Sequence, residues 1–189
     1  MTIAGTVPAA VLGSVDANGK RSGIFESTTI AAGGVYKTRL TFVNLAVSLV
    51  KGTNGFAGVE VYDFGKGLLN WKGSNSALQA VQGDTSLSTS GLAAALGTVT
   101  ATDAVLASTG ATEKNLQAAT LSTAGTYGTA GAAITLDARP ATQVVVDGTG
   151  TASKVFLNFN AVAANLSATT ILTVSGTIEF HYEDLGADL

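Results

Sequence analysis

From Ile171 to Tyr182 apolar and polar positions alternate. Leu172, Val174, Gly176, Ile178, Phe180 and Tyr182 fall on one side; Thr173, Ser175, Thr177, Glu179 and His181 fall with Ile171 on the other. Successive side chains of a strand point to opposite faces, so this period of two predicts a half-buried β-strand. The stretch "KVFLNFN" (154–160) repeats the pattern, with Val155, Leu157 and Phe159 on one side. In "YKTRLTFVNLAVSLV" (36–50), Thr41, Val43, Leu45, Val47 and Leu49 share one face, while Leu40 and Phe42 make the other half apolar too. That segment predicts a long strand covered on both sides. Further strands are predicted at "AGVEVYDF" (57–64), "GIFESTTI" (23–30), "AAITLDA" (132–138) and "TQVVVDG" (142–148), bounded by Gly, Asn or Asp.

"SGLAAALGT" (90–98) fits two descriptions. Ala and Leu favour a helix, but the flanking glycines leave room for two turns at most, too few for a helix to hold by itself. A strand is equally compatible with the residues. The chain holds no long amphipathic helical pattern and no internal repeat, which argues against a propeller or a solenoid. Many short strands with glycine-rich turns predict an all-β fold, a β-sandwich of jelly-roll-like type with long Gly/Ala/Thr-rich loops.

Composition refines this picture. The 189 residues suffice for one domain with a substantial core. Charged residues are 12% of the chain, well below the usual quarter, and hydrophobic residues are 46%, which argues against disorder. Net charge is −3 without an evident basic patch, so no direct nucleic-acid partner is expected. The absence of cysteine excludes disulfides and thiolate metal sites. No apolar run is long enough to span a membrane, and the first fifteen residues do not read as a signal peptide. Aromatic side chains are unevenly placed: seven of the twelve precede Gly73, only Tyr127 lies between Gly73 and Ser153, and the rest follow Lys154. Large side chains supply most core burial. The expected organisation is therefore a single domain over 1–189. Residues 1–22 form an N-terminal arm, the two ends share one core, and 73–153 form a loop-rich middle elaboration.

Little in the chain reads as chemistry. His181 is the only histidine and shares a face with Glu179, so it carries the one arrangement that resembles a general base. No G-x-S-x-G elbow accompanies it, and it reads as a strand residue making a polar contact at a surface or interface. Glu60 and Asp63 are too close in sequence to act as a carboxylate pair across a cleft. Glu183, Asp184 and Asp188 form an acidic cluster without the spacing of a calcium loop. "FGKGLLNWKGSN" (64–75) has no phosphate-loop spacing. In it, Trp71 between Asn70 and Lys72 is placed to pack in a core or to stack on a sugar. Lys20–Arg21 follow the turn residues Asp16, Asn18 and Gly19; they read first as an ordinary exposed loop and second as a contact for an acidic partner. The reading is of a protein that is not an enzyme, with no catalytic residue, cofactor or metal. Lys20, Arg21, Trp71, His181, Glu183 and Asp184 are its candidate partner contacts.

The order of the segments carries a resemblance. "LTFVNLAVSLV" (40–50) is followed by "VYDFGKG" (61–67), "TEKNL" (112–116), "KVFLNFNAVAAN" (154–165) and "LTVSGTIEFHYEDLGAD" (172–188). This resembles a family of small virion proteins of tailed bacteriophages. In that family a strand ending F-x-N-x-x-V-x-L precedes Y-D-F-P-x-G, and a later Y-L-N-F strand leads to V-N-G-T-I-x-L-x-x-x-N-L-G. The similarity lies in residues 35–70 and 154–187. Gly65 and Lys66 stand where the family often has Pro and a polar residue, and Glu183–Asp184 stand near the family's Asn. The resemblance implies a head-associated decoration or cement protein on the outer capsid surface, made in the host cytoplasm. Its implied partners are the major capsid protein and further copies of itself, as a homotrimer, with no membrane contact. The alternative is a tail or fibre component, an adhesin whose carbohydrate-binding β-sandwich would meet a host glycan with Trp71 and Tyr62.

Overall fold

The longest strands set the architecture. The computed structural model describes residues 5–15, 17–30, 35–88, 91–102, 106, 112–121, 132–134 and 144–186. Asp16, Tyr127, Asp188 and most of "AAITLDA" lie outside them. The described strands are β1 (Ser14–Val15), β2 (Arg21–Ile30), β3 (Val35–Lys51), β4 (Gly55–Asp63), β5 (Leu68–Gln82), β6 (Leu92–Gly97), β7 (Gln117–Leu121), β8 (Ala132–Ile134), β9 (Val144–Asp147), β10 (Lys154–Ala161) and β11 (Thr170–Gly186). Two single-turn 3-10 segments lie at Thr112–Lys114 and Ala163–Asn165.

All described pairings between these strands are antiparallel. β11 lies between β3 and β5, β2 flanks β3 with β1 beyond it, and β8 and β9 share the far edge of β5. A second limb runs β7-β6-β10-β4. The two limbs join where the end of β3 turns into β4, with Val50 opposite Phe56 and Lys51 opposite Gly55. The fold is thus all-β, an antiparallel sheet curled into a half-barrel.

One apolar cluster fills the concave side. Phe42 and Leu45 of β3, Leu157 and Phe159 of β10, and Ile178 and Phe180 of β11 all belong to it, so the two ends of the chain share a core. At one end, rings from three strands and a loop meet. Phe180 lies 5.2 Å from Tyr62, 5.8 Å from Phe64 and 5.4 Å from Trp71, centroid to centroid. Edge-to-face and stacked pairs of this kind each contribute about 0.5–1.5 kcal/mol beyond the area they bury.

β3 differs from its predicted two-sided burial. Leu40 and Phe42 face the core, and so do Leu45, Val47 and Leu49, while Asn44, Ala46 and Ser48 are exposed. The parity changes because Val174 pairs with Leu45 but Gly176 pairs with Phe42, leaving Val43 and Asn44 opposite Ser175 alone. This is a β-bulge, and its extra residue carries the core face from even to odd positions. Asn44 takes the left-handed conformation there (φ 48°), and its backbone N–H donates to Ser175 Oγ at 3.1 Å. Gly176 is required beside it. Its φ is +123°, and a Cβ would lie 2.1 Å from the Ala77 carbonyl oxygen.

The ambiguous segment 90–98 contributes a strand, β6, because β10 supplies a full ladder from Phe156–Gly97 to Ala161–Leu92. Leu92, Ala94 and Leu96 join the core, while Ala95 packs on Ala101 and Leu106 on the other side. Small side chains let residues 98–102, 106 and 112–115 lie close over this limb. Asn158 fastens them: its Oδ1 accepts from Ala101 N at 2.8 Å, and its Nδ2 donates to Val99 O at 2.9 Å and Glu113 O at 2.7 Å. A buried amide with its acceptor and both donors engaged is a stabilising tie rather than a liability.

Described parts of the middle region belong to the curled sheet, since β5 runs from Leu68 through Gly73 to Gln82 and β6 is buried. The described part of the N-terminal arm lies along the body. Thr6 and Asp63 exchange backbone hydrogen bonds at 2.7 and 2.8 Å, Val7 is in the core, and Arg21 already belongs to β2.

Candidate functional site on the outer face of the larger limb

The convex side of β3, β11 and β5 presents polar residues in registered rows. Directly opposite residues share a face, so Arg39, Glu179 and Asn75 form one row and Lys37, His181 and Gly73 the next. Beyond them lie Val35, Glu183 and Asn70. Lys72 is the extra residue where Tyr182 pairs with Trp71 but His181 pairs with Gly73. The bulge spares Lys72 a cross-strand position and brings its ammonium to this face.

The charges here are largely paired. Lys37 Nζ lies 2.9 Å from Glu179 Oε1, and His181 Nε2 lies 3.4 Å from the same oxygen. Lys72 Nζ lies 2.8 Å from Glu183 Oε2, which also accepts from Asn70 Nδ2 at 2.9 Å. The Lys72 and then the Asn70 hydrogen bonds hold the Glu183 carboxyl below its ordinary range. Burial pushes Glu179 up, but the Lys37 hydrogen bond and charge, with His181, outweigh it and leave it below its ordinary range too. Two shallow recesses open beside these pairs. One of about 410 Å³ is lined by Val35, Lys72, Gly73, Glu179 and His181, and one of about 300 Å³ by Arg39, Asn75, Thr177 and Glu179. Among the described residues, His181 meets Glu179 and no hydroxyl nucleophile at bonding distance.

The six sequence-derived contact residues go to separate places. His181 and Glu183 share the outer face. Asp184 is half-buried and accepts from Gly186 N at 2.8 Å, which closes a turn. Lys20 and Arg21 are exposed in and beside the β1–β2 turn, and the Arg21 guanidinium sits 4.0 Å over the Phe25 ring. Arg21 is eight residues along β2 from Thr29, the register partner of Lys37, or roughly 26 Å at the rise of a strand. Trp71 is a correction. It is 1% exposed and stacked on Phe180, so it cannot meet a partner or a sugar from outside. Tyr62 is likewise 1% exposed, and its hydroxyl donates to Glu26 Oε1 at 3.2 Å.

Lys37, Arg39, Lys72 and Asn70 belong to the site without having been singled out from sequence. The signal for the first two was their parity, which matches Glu179 and His181 once β3 is set against β11. Among the described residues, no helix is long and apolar enough to cross a membrane, and no group of three or more His, Asp or Glu side chains is placed to hold a metal. Comparison with protein-family models, curated proteins and solved structures finds no match to this chain.

Proposed function

We propose that this protein is a structural component of a tailed-bacteriophage virion, a decoration protein that binds the outer surface of the capsid and stabilises the head. Its partners are the major capsid protein and further copies of itself, assembled as a trimer, and it acts by contact rather than turnover. In this reading the curled sheet is a jelly-roll-type sandwich. The observation that carries the reading is the outer face of β3, β11 and β5. It is long, shallow and rich in short polar side chains, and its lysines are paired with glutamates within the chain. Such a face suits an interface of ordinary polarity that does not depend on net charge. The phage-like order of segments in 35–70 and 154–187 supports the same reading. An adhesin role would need an exposed aromatic platform, and both rings suited to it, Trp71 and Tyr62, are buried.

The test is reconstitution. Purified protein added to capsids assembled without it binds to saturation and raises their resistance to heat. Binding persists at moderate salt, because screening weakens mainly exposed charge pairs. Failure to bind such capsids, together with stable attachment to isolated tails, would replace this reading with the tail one.

A further inference from the structure

The chain contains the dipeptide Asn-Gly twice, at Asn18–Gly19 and Asn54–Gly55, and the fold treats the two oppositely. Asparagine followed by glycine is the sequence most open to intramolecular deamidation, because glycine has no Cβ to hinder approach of its backbone nitrogen. We infer that Asn18 is a site of spontaneous modification, converting to aspartate and isoaspartate beside Lys20–Arg21, while Asn54 is protected.

The reaction balances with water as the only co-reactant. The Gly19 backbone nitrogen attacks Asn18 Cγ, a new C–N bond closes a five-membered succinimide, and the side-chain amide leaves as ammonia. Water then opens either carbonyl. One opening gives aspartate. The other gives isoaspartate, which routes the backbone through the side chain and lengthens it by one carbon. Either product replaces a neutral amide with a carboxylate.

Geometry distinguishes the sites. Asn18 and Gly19 are exposed in the turn between β1 and β2. Gly19 has φ +77°, and no heavy atom beyond its chain neighbours lies within 4 Å of where a Cβ would sit, so nothing packs over this glycine. Gly55 is buried and held from both sides, opposite Lys51 of β3 and Ala161 of β10. Its carbonyl accepts from Asn160 Nδ2 at 2.8 Å, and a Cβ on it would lie 2.4 Å from Leu166 Cδ2. Gly52 N also donates to Asn54 O at 2.9 Å, which fixes the turn. Ring closure at Asn54 first requires the β3–β4–β10 junction to open, and local opening is rare where a ladder is buried.

The consequence is electrostatic and local. Lys20 and Arg21 lie two and three positions after Asn18, so conversion offsets one of their two positive charges and changes the backbone path into β2.

Intact folded protein is incubated at mildly alkaline pH, sampled over time and digested with trypsin. Cleavage after Lys20, Lys51 and Lys66 places the two sites in separate peptides, 1–20 and 52–66. The expected result is a one-dalton gain with isoaspartate in peptide 1–20, at least about tenfold faster than in peptide 52–66, as protection by local structure requires. In urea the two rates converge. Asn18→Gln removes the change from peptide 1–20, since its longer side chain would have to close a six-membered ring. Equal rates in the folded protein, faster conversion at Asn54, or an Asn18 that stays unmodified while an unstructured Ala-Asn-Gly-Lys peptide converts completely would overturn the inference.

Discussion

Truncating Phe180 to alanine probes the core that joins the two ends of the chain. Its side chain is fully buried, with the Tyr62, Phe64 and Trp71 rings packed around it from β4, the β4–β5 loop and β5. Removing a buried phenylalanine costs about 3–5 kcal/mol through lost transfer energy and the cavity left behind. The upper half of that range is expected here, because several ring contacts disappear together and rings held in three separate segments collapse poorly into the space. Against a total stability of about 5–15 kcal/mol for a typical domain, the variant is severely weakened but foldable at low temperature. In a chain of this length the midpoint of thermal unfolding falls by roughly 6–20 °C. Urea unfolding supplies the measurement, followed by far-ultraviolet circular dichroism and by the fluorescence of Trp71, whose ring stacks on Phe180. Ile171→Ala is the control. It lies on the opposite face of the same strand, 47% exposed, and shifts stability by no more than about 0.5 kcal/mol. A loss at Phe180 below about 1 kcal/mol, or equal to that at Ile171, would refute the assignment of Phe180 to the shared core.

Gly176→Ala places a Cβ against the Ala77 carbonyl at a φ that L-residues avoid, so β11 must shift against β5. The expected loss exceeds about 2 kcal/mol by urea titration, and is larger than that of Gly19→Ala, where φ is also left-handed (+77°) but nothing lies within 4 Å of the added Cβ. Acid weakens the outer face. Glu183 has its folded pKa held below its ordinary value of 4.5, so the stabilisation is complete above that value and is lost as pH falls through the lower, folded one. Thermal midpoints measured downward from neutral pH therefore fall more steeply for the wild type than for Glu183→Gln below about pH 4.5; parallel curves would remove the Lys72–Glu183 pair from the account.

Much of the fold was legible where one face is buried and the extra residue of each bulge along the stretch lies on the partner strand. The alternation of Val155, Leu157 and Phe159, and that of Leu172, Val174, Ile178, Phe180 and Tyr182, matches the core face. β3 misled because a bulge is invisible to a periodic reading. Two in-phase halves joined by one extra residue look like a strand apolar on both sides. β6 was undecided because its alanines and leucines favour a helix locally, and the decisive partner, β10, is distant in sequence. Trp71, read either as core or as a contact, faces inward although its neighbours are polar: Lys72 is exposed, while Asn70 is itself buried with its Nδ2 donating to Glu183. At the outer face the parity of Glu179 and His181 was readable. Their meeting with Lys37 was not, since pairing of Asn44 with Ser175 in the same ladder spans 131 positions and nothing local encodes that register.

The central place of β11 has a consequence for biogenesis. It follows every other described strand in the chain, yet it fills the slot between β3 and β5. Between synthesis of Gln82 and of Thr170, both strands that border this slot already exist, and each offers a long row of unused backbone donors and acceptors. Nascent chains are then at their most adhesive, since an open edge accepts any extended segment, including β11 of a neighbouring copy. Closure must wait for β11 to leave the ribosome and must join segments far apart in sequence, which makes it slow. In a crowded translating cell, the final insertion is therefore the step at which exchange of strands between copies, or capture by a chaperone, competes with self-completion.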